Sequence, residues 1–141
     1  MGRDSLSLQE VRWALDVVGL AEKFSETSNG LYSEIGPNGH GISKGEAQRL
    51  LIARSIVAKP RLLLMDEPLL GLSPILQADL TRAIKNIRQE GITVLVTEQF
   101  ARTLLPVIDR GYVIENGILV FEGSRQELFD NPEVKSAYLG I

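Results

Sequence analysis

An apolar run, Leu62-Leu-Leu-Met65, leads directly into Asp66-Glu67-Pro68. Adjacent side chains on a strand point in opposite directions, so two neighbouring carboxylates at its end can do different work. One can hold a hard cation such as Mg²⁺, largely through water. The other can orient or polarise a nucleophilic water. A solvated loop that happens to begin Asp-Glu is the plain alternative. A second cluster, Gly41-Ile-Ser-Lys-Gly-Glu-Ala-Gln48, opens a helix. The free N–H groups and positive dipole end of a helix form an anion site. Ser43 can add a hydroxyl, Lys44 a charge, and Gly45 lets a phosphate approach the backbone. An ordinary capped helix is the alternative here. Just upstream, Gly36 to Ser43 has the glycines of a phosphate loop but Ile42 where its lysine must be. That stretch reads as a Gly-rich turn, and its His40 as a surface residue.

The elements that must position these groups follow from spacing. Ser7 and Glu10 form a capping box ahead of Leu8, Val11, Leu15 and Val18, which predicts a helix over residues 8–20. Ser43 and Glu46 form another, predicting a helix that stops before Pro60. Residues 61–65 are mostly apolar without alternation, which predicts a strand buried on both faces, as in a parallel sheet. Ser73-Pro74 should cap a helix through Ile75, Leu80, Ile84 and Ile87 to Gly91. Ile92 to Val96 is a second strand, completing a right-handed βαβ unit. A short helix is expected at 100–107. Tyr112–Glu115 and Ile118–Phe121 flank Asn116-Gly117, a strong hairpin signal. Two short helices close the chain, at 124–130 and 132–139.

Composition narrows the function classes. The chain has 141 residues, 15 Lys plus Arg against 18 Asp plus Glu, and no cysteine. The net charge of −3 gives no electrostatic footprint for nucleic acid. Disulfides, thiolate nucleophiles and Cys-ligated zinc are excluded. There is no run of about 18 apolar residues. These features read as one cytosolic domain able to bury a core.

The order Ile42-Ser-Lys-Gly-Glu, Gln48-Arg49, Ile52-Ala53-Arg54, Lys59-Pro60 and then the apolar run with Asp66-Glu67-Pro68 resembles the ATP-binding-cassette (ABC) ATPases. Their signature Leu-Ser-Gly-Gly-Gln precedes Gln-Arg, Ala-Arg-Ala and a Walker B strand at this separation. Gly71-Leu-Ser-Pro74 looks like the D-loop, and Thr93 to Gln99 like the switch strand. Asp109 to Gly123 looks like the closing hairpin. The ending Ala137 to Gly140 is similar to ATPases of branched-chain amino acid importers. Residues 11–58 look more like the ATPase domains of peptide and lipid exporters, which leaves the transported substrate and a recombined origin open.

The resemblance implies an α/β fold: an incomplete P-loop NTPase core of parallel strands, flanking helices and a C-terminal hairpin, plus part of a helical subdomain. It implies a helical remnant at 1–58 and an ATPase-core part at 59–141. It implies ATP and Mg²⁺ as cofactors. Ser43, Gly45 and Glu46 would contact the γ-phosphate of ATP held by a second cassette. Asp66 would position Mg²⁺. Glu67 would be the catalytic carboxylate. Gln99 stands in the place of the switch histidine. Partners would be that second cassette and transmembrane transporter subunits, and the location cytoplasmic, on the inner membrane through the transporter. This sequence departs from the pattern at Lys44 for Gly, Glu46 for Gln, Ser73 for the D-loop Asp, and Gln99 for His. It also holds no phosphate loop. The function implied is part of a transporter ATP-binding subunit, inactive as an isolated chain. The alternative is a non-catalytic interaction module derived from a cassette. In the family the P-loop strand lies between the switch strand and the strand matching Tyr112–Glu115. A gap there should make the chain weakly stable alone, without a cooperative melt above about 60 °C.

Overall fold

The computed structural model describes residues 6–27, 29–36, 41–99 and 101–139. Residues 37–40, half of the Gly-rich turn and including His40, lie outside them, as do residues 1–5, 28, 100, 140 and 141. The chain divides into two units, residues 1–96 and 97–141. The signature-like helix and the first strand both fall in the first.

Four helices contribute to the first unit's core. Helix α1 spans Leu8–Val17 and starts at the Ser7–Glu10 capping box, with the Glu10 N–H donating to Ser7 Oγ at 3.2 Å. It ends earlier than the periodicity suggested, because Gly19 takes φ +70 and turns the chain. Helix α2, Ala21–Ser25, is anchored by buried Leu20 and Phe24. Helix α3, Lys44–Ile56, begins at Ser43 as expected. Helix α4, Pro74–Gln89, begins at the Ser73 cap with Pro74 in its first turn. Ala14, Leu15, Val18, Ile52, Ile56, Leu80, Ile84 and Ile87 are among the buried apolar residues of α1, α3 and α4 and their caps. The Asn86 side-chain amide donates to the Val17 carbonyl at 3.0 Å, satisfying a helix-end acceptor of α1. The Trp13 indole donates to Glu90 at 3.0 Å, and Lys59 lies 4.9 Å from the Trp13 ring centre.

Strands β1, Leu62–Asp66, and β2, Thr93–Thr97, pair in a parallel two-stranded sheet joined through α4. The expectation that the first strand is buried on both faces is corrected here. Leu63 is 7% exposed, but Leu62 is 51%, Leu64 65% and, on β2, Leu95 51%. The helices of this unit cover one face of the sheet. Among the described residues, only one face of this sheet is covered.

In the second unit, strands β3, Arg110–Glu115, and β4, Ile118–Ser124, form an antiparallel hairpin. Asn116 and Gly117 take φ +49 and +79, the left-handed pair of a type I′ turn. Val113, Leu105, Leu128 and Val134 make a small core, with Ile108, Phe121 and Tyr138 packed on it. Helices α5, Arg125–Asp130, and α6, Pro132–Val134, lead into one wide turn at Lys135–Leu139. The short helix expected at 100–107 is instead two 3₁₀ turns, Ala101–Thr103 and Leu105–Val107. Pro106 lies inside the second, where a tight turn tolerates its missing N–H. The β1–β2 pair and the β3–β4 hairpin are separate sheets.

Candidate functional site

Asp66 closes β1, and Glu67 follows it with φ +44. A non-glycine residue in the left-handed region costs on the order of 1 kcal/mol and calls for an explanation. The twist throws the chain sharply off the strand, and both carboxylates are exposed there. The segment that follows is held tightly. Leu69 and Leu72 are buried, and the Leu70 N–H donates to the Glu67 carbonyl at 3.1 Å. The Gln48 amide of α3 donates to the Pro68 carbonyl. The Gln77 amide of α4 donates to the Leu72 carbonyl at 3.2 Å. Lys44 Nζ donates to the Gly71 carbonyl at 3.3 Å. Side chains of α3 and α4 thus fix the loop on which Glu67 is presented.

These contacts bring the first turn of α3 against the loop after β1. Ser43 is exposed at the cap, with Ser43 Oγ accepting the Glu46 N–H at 3.2 Å. The Ser43 N–H donates to Glu46 Oε2 at 2.7 Å. The reciprocal cap leaves the amides of Lys44 and Gly45 without intrahelical partners. Gly45 is buried, and an added Cβ would meet Leu76 Cδ2 of α4 at 2.6 Å. A side chain at this position would therefore have to displace the Leu76 side chain, so α3 and α4 pack closely here. Gln99 is exposed, two residues past β2, and belongs to the second unit. Ser43, Gly45, Glu46, Asp66 and Glu67 share the first.

Glu46 is also paired. Lys23 Nζ of α2 lies 2.7 Å from Glu46 Oε1. The Lys23 ammonium first, and the Ser43 N–H second, hold the Glu46 carboxyl down to about 2. The folded value lies below the ordinary 4.5, so the stabilisation is complete above pH 4.5 and is lost as pH falls towards 2. Lys23→Met is expected to cost about 0.5–1 kcal/mol near neutral pH, as for a partly exposed pair. The loss should shrink in acid, as read by urea unfolding at stepped pH. A pH-independent loss would deny the pair its part in stability.

The donor set suits Mg²⁺ bound to a phosphorylated ligand. Among the described residues no group of three or more His, Cys, Asp or Glu could form a closed metal cage. Mg²⁺ needs no cage, since one or two carboxylates beside ligand phosphates suffice, and the exposed Asp66 carboxylate is of that kind. Sequence spacing by itself gives no role to Gln48, Gln77 or Lys23. Gln48 stood in a motif, but nothing in its spacing shows that it reaches the Pro68 carbonyl.

The ABC transporter family profile matches residues 7–70. The high-affinity branched-chain amino acid transport ATP-binding protein BraG of Pseudomonas aeruginosa is 46% identical over 99 residues, 70% of this chain and 42% of that protein. The lipopolysaccharide export system ATP-binding protein LptB of Escherichia coli K12 is 38% identical over 102 residues, 72% of this chain and 42% of that protein. An ATP-binding cassette of an ABC transporter in its ADP conformation superposes with a TM-score of 0.71 at 26% identity, covering 94% of this chain and 50% of that one. A bacterial Atm1-family ABC exporter with ATP bound superposes at 0.72 and 27% identity, covering 96% of this chain and 24% of that one. The fold is that of a P-loop NTPase-type cassette. The chain corresponds to part of an ABC transporter ATPase domain, and its match spans 42% of the length of these two relatives.

Proposed function

We propose that this chain supplies the signature and Walker B portion of a transporter ATP-binding subunit. The observation that carries the reading is Glu67. A strained left-handed carboxylate sits directly after a strand that ends in Asp66, on a loop fixed from two helices. Strain of this kind persists where the surrounding structure over-determines it, and it clusters at functional sites. In open α/β sheets ligands bind outside the carboxyl ends of the strands, which is where these carboxylates stand.

Bound Mg²⁺·ATP would supply the transferable phosphoryl group and the charge neutralisation that its hydrolysis needs. The residues of this chain bind and orient around it. Asp66 holds the cation side. Glu67 accepts a hydrogen bond from the attacking water and keeps it in line. Ser43 and the amides at the start of α3 face the terminal phosphate of a nucleotide on a second cassette. Gln99 serves as the hydrogen-bonding switch residue, without a titratable ring. Transmembrane subunits are the proposed transport partners, with the chain at the cytoplasmic side of the membrane. Among the described residues no helix is long and apolar enough to cross a membrane. The relatives carry branched-chain amino acid transport and lipopolysaccharide export in their names, and either class of cargo fits this reading.

Complementation tests it. The chain is mixed with an N-terminal cassette segment that carries a phosphate loop, and phosphate release is followed with and without Mg²⁺. Mg²⁺-dependent hydrolysis by the pair, absent from either piece alone, is the expected result. No hydrolysis with any such segment would sink the proposal.

A further inference from the structure

The signature-like turn of this chain carries a carboxylate, Glu46, next to the surface proposed to meet a polyanionic nucleotide. A bare carboxylate there would repel the phosphates, since like charges brought together across an interface oppose association. The fold answers this with a residue from a different helix. Lys23 lies in the last turn of α2, and its neighbour Phe24 is buried and fixes the register of that short helix. From there Lys23 Nζ reaches Glu46 Oε1 at 2.7 Å. The other carboxylate oxygen, Oε2, is held by the Ser43 N–H at 2.7 Å. Both oxygens are engaged, and the charge is balanced.

Another capping box in the same chain shows what the lysine adds. Glu127 caps Ser124 in the same way, with the Ser124 N–H donating to Glu127 Oε2 at 2.7 Å. Its carboxyl is lowered mainly by that backbone N–H. For Glu46 the lysine is the larger cause.

We propose that Lys23 is a positioning residue for the nucleotide-facing end of α3. It holds the Glu46 carboxylate on the helix cap and cancels its charge, so that the turn presents donors to the terminal phosphate. This rests on the functional reading above and adds to it a residue that no signature pattern contains.

The test measures ATP-dependent association of the full chain with a complete cassette, the Pseudomonas aeruginosa BraG subunit, in saturating Mg²⁺·ATP, by sedimentation. Lys23→Met is made in the natural background and in a Glu46→Gln background. Lys23→Met should weaken association about tenfold or more where Glu46 is present, because an uncompensated carboxylate then faces the phosphates. In the Glu46→Gln background there is no charge to cancel, and the same change should cost less than about twofold. Lys23→Arg should keep association within about threefold of the natural chain, since it retains the cation. In parallel, the carboxylate ¹³C shift of Glu46 is titrated, and its midpoint should rise in Lys23→Met. Equal loss in both backgrounds would overturn the inference, because the lysine would then act through packing alone. No loss in either would overturn it too, as would a Glu46 midpoint that ignores the lysine. If the natural chain shows no ATP-dependent association while the midpoint still responds to Lys23, the functional reading fails and the inference falls with it.

Discussion

A chain carrying Glu67→Gln, paired with a phosphate-loop segment, is expected to lose Mg²⁺-dependent ATP hydrolysis by about 10²-fold or more, the range for a positioned acid–base group. The substitution keeps the size of the side chain and most of its hydrogen bonding. It removes the negative charge that orients and polarises the attacking water. Nucleotide binding should survive, so ATP should accumulate uncleaved on the complex. The backbone sharpens the test. Glu67 holds φ +44, a conformation that glycine adopts at no steric cost. Glu67→Gly should therefore leave stability unchanged or raise it by up to about 1 kcal/mol, while hydrolysis is lost as fully as in Glu67→Gln. Opposite effects on folding and on turnover are the mark of a residue kept for chemistry. Hydrolysis retained by Glu67→Gln would remove Glu67 from its proposed role. Equal destabilisation by both variants would make the strained turn a structural feature.

The second large effect separates two neighbouring leucines. Leu63→Ala is expected to cost about 2–5 kcal/mol, the range for emptying a buried leucine site. Leu64→Ala should stay within about 0.5 kcal/mol, as surface substitutions do. Leu63 is 7% exposed and Leu64 65%, although the two are chemically identical and adjacent. Urea unfolding of each variant reads the difference directly. If a complementing segment covers the open face of the β1–β2 sheet, Leu64→Ala should become costly in the complex and remain cheap in the chain alone. A large loss from Leu64→Ala in the isolated chain would mean that this face is already covered there.

The open faces also bear on the expected low stability. Exposed Leu62, Leu64 and Leu95 on the first sheet, and Tyr112, Ile114 and Ile118 on the hairpin, are apolar area that folding leaves in water. The exposed part of each adds nothing to the burial that offsets chain entropy.

Local signals were legible in the residues themselves. Ser7–Glu10 and Ser43–Glu46 form the capping boxes that their three-residue spacing implies, and Ser73-Pro74 starts α4. Asn116-Gly117 turns the hairpin, because both residues tolerate positive φ. These features are short-range: the atoms that decide them lie within a few residues of each other. The position of Asp66-Glu67 at the end of a strand was legible for the same reason. The ungapped order from Ser43 to Glu67 also carried the resemblance that the comparisons bear out. The early end of α1, the two 3₁₀ turns around Pro106 and the exposed side of β1 were not legible, because each depends on what packs against the element.

By itself, then, the sequence determined the caps, the turns, the βαβ order and the two carboxylates that follow β1. The tertiary structure alone decided which leucine of an unbroken apolar run is buried. It also decided that Leu76 packs against Gly45, that Gln48 and Gln77 steady the loop bearing Glu67, and that Lys23 neutralises Glu46. The physical reason is range. Backbone conformation and capping are settled among near neighbours, whereas burial and charge pairing depend on groups that only folding brings within a few ångströms.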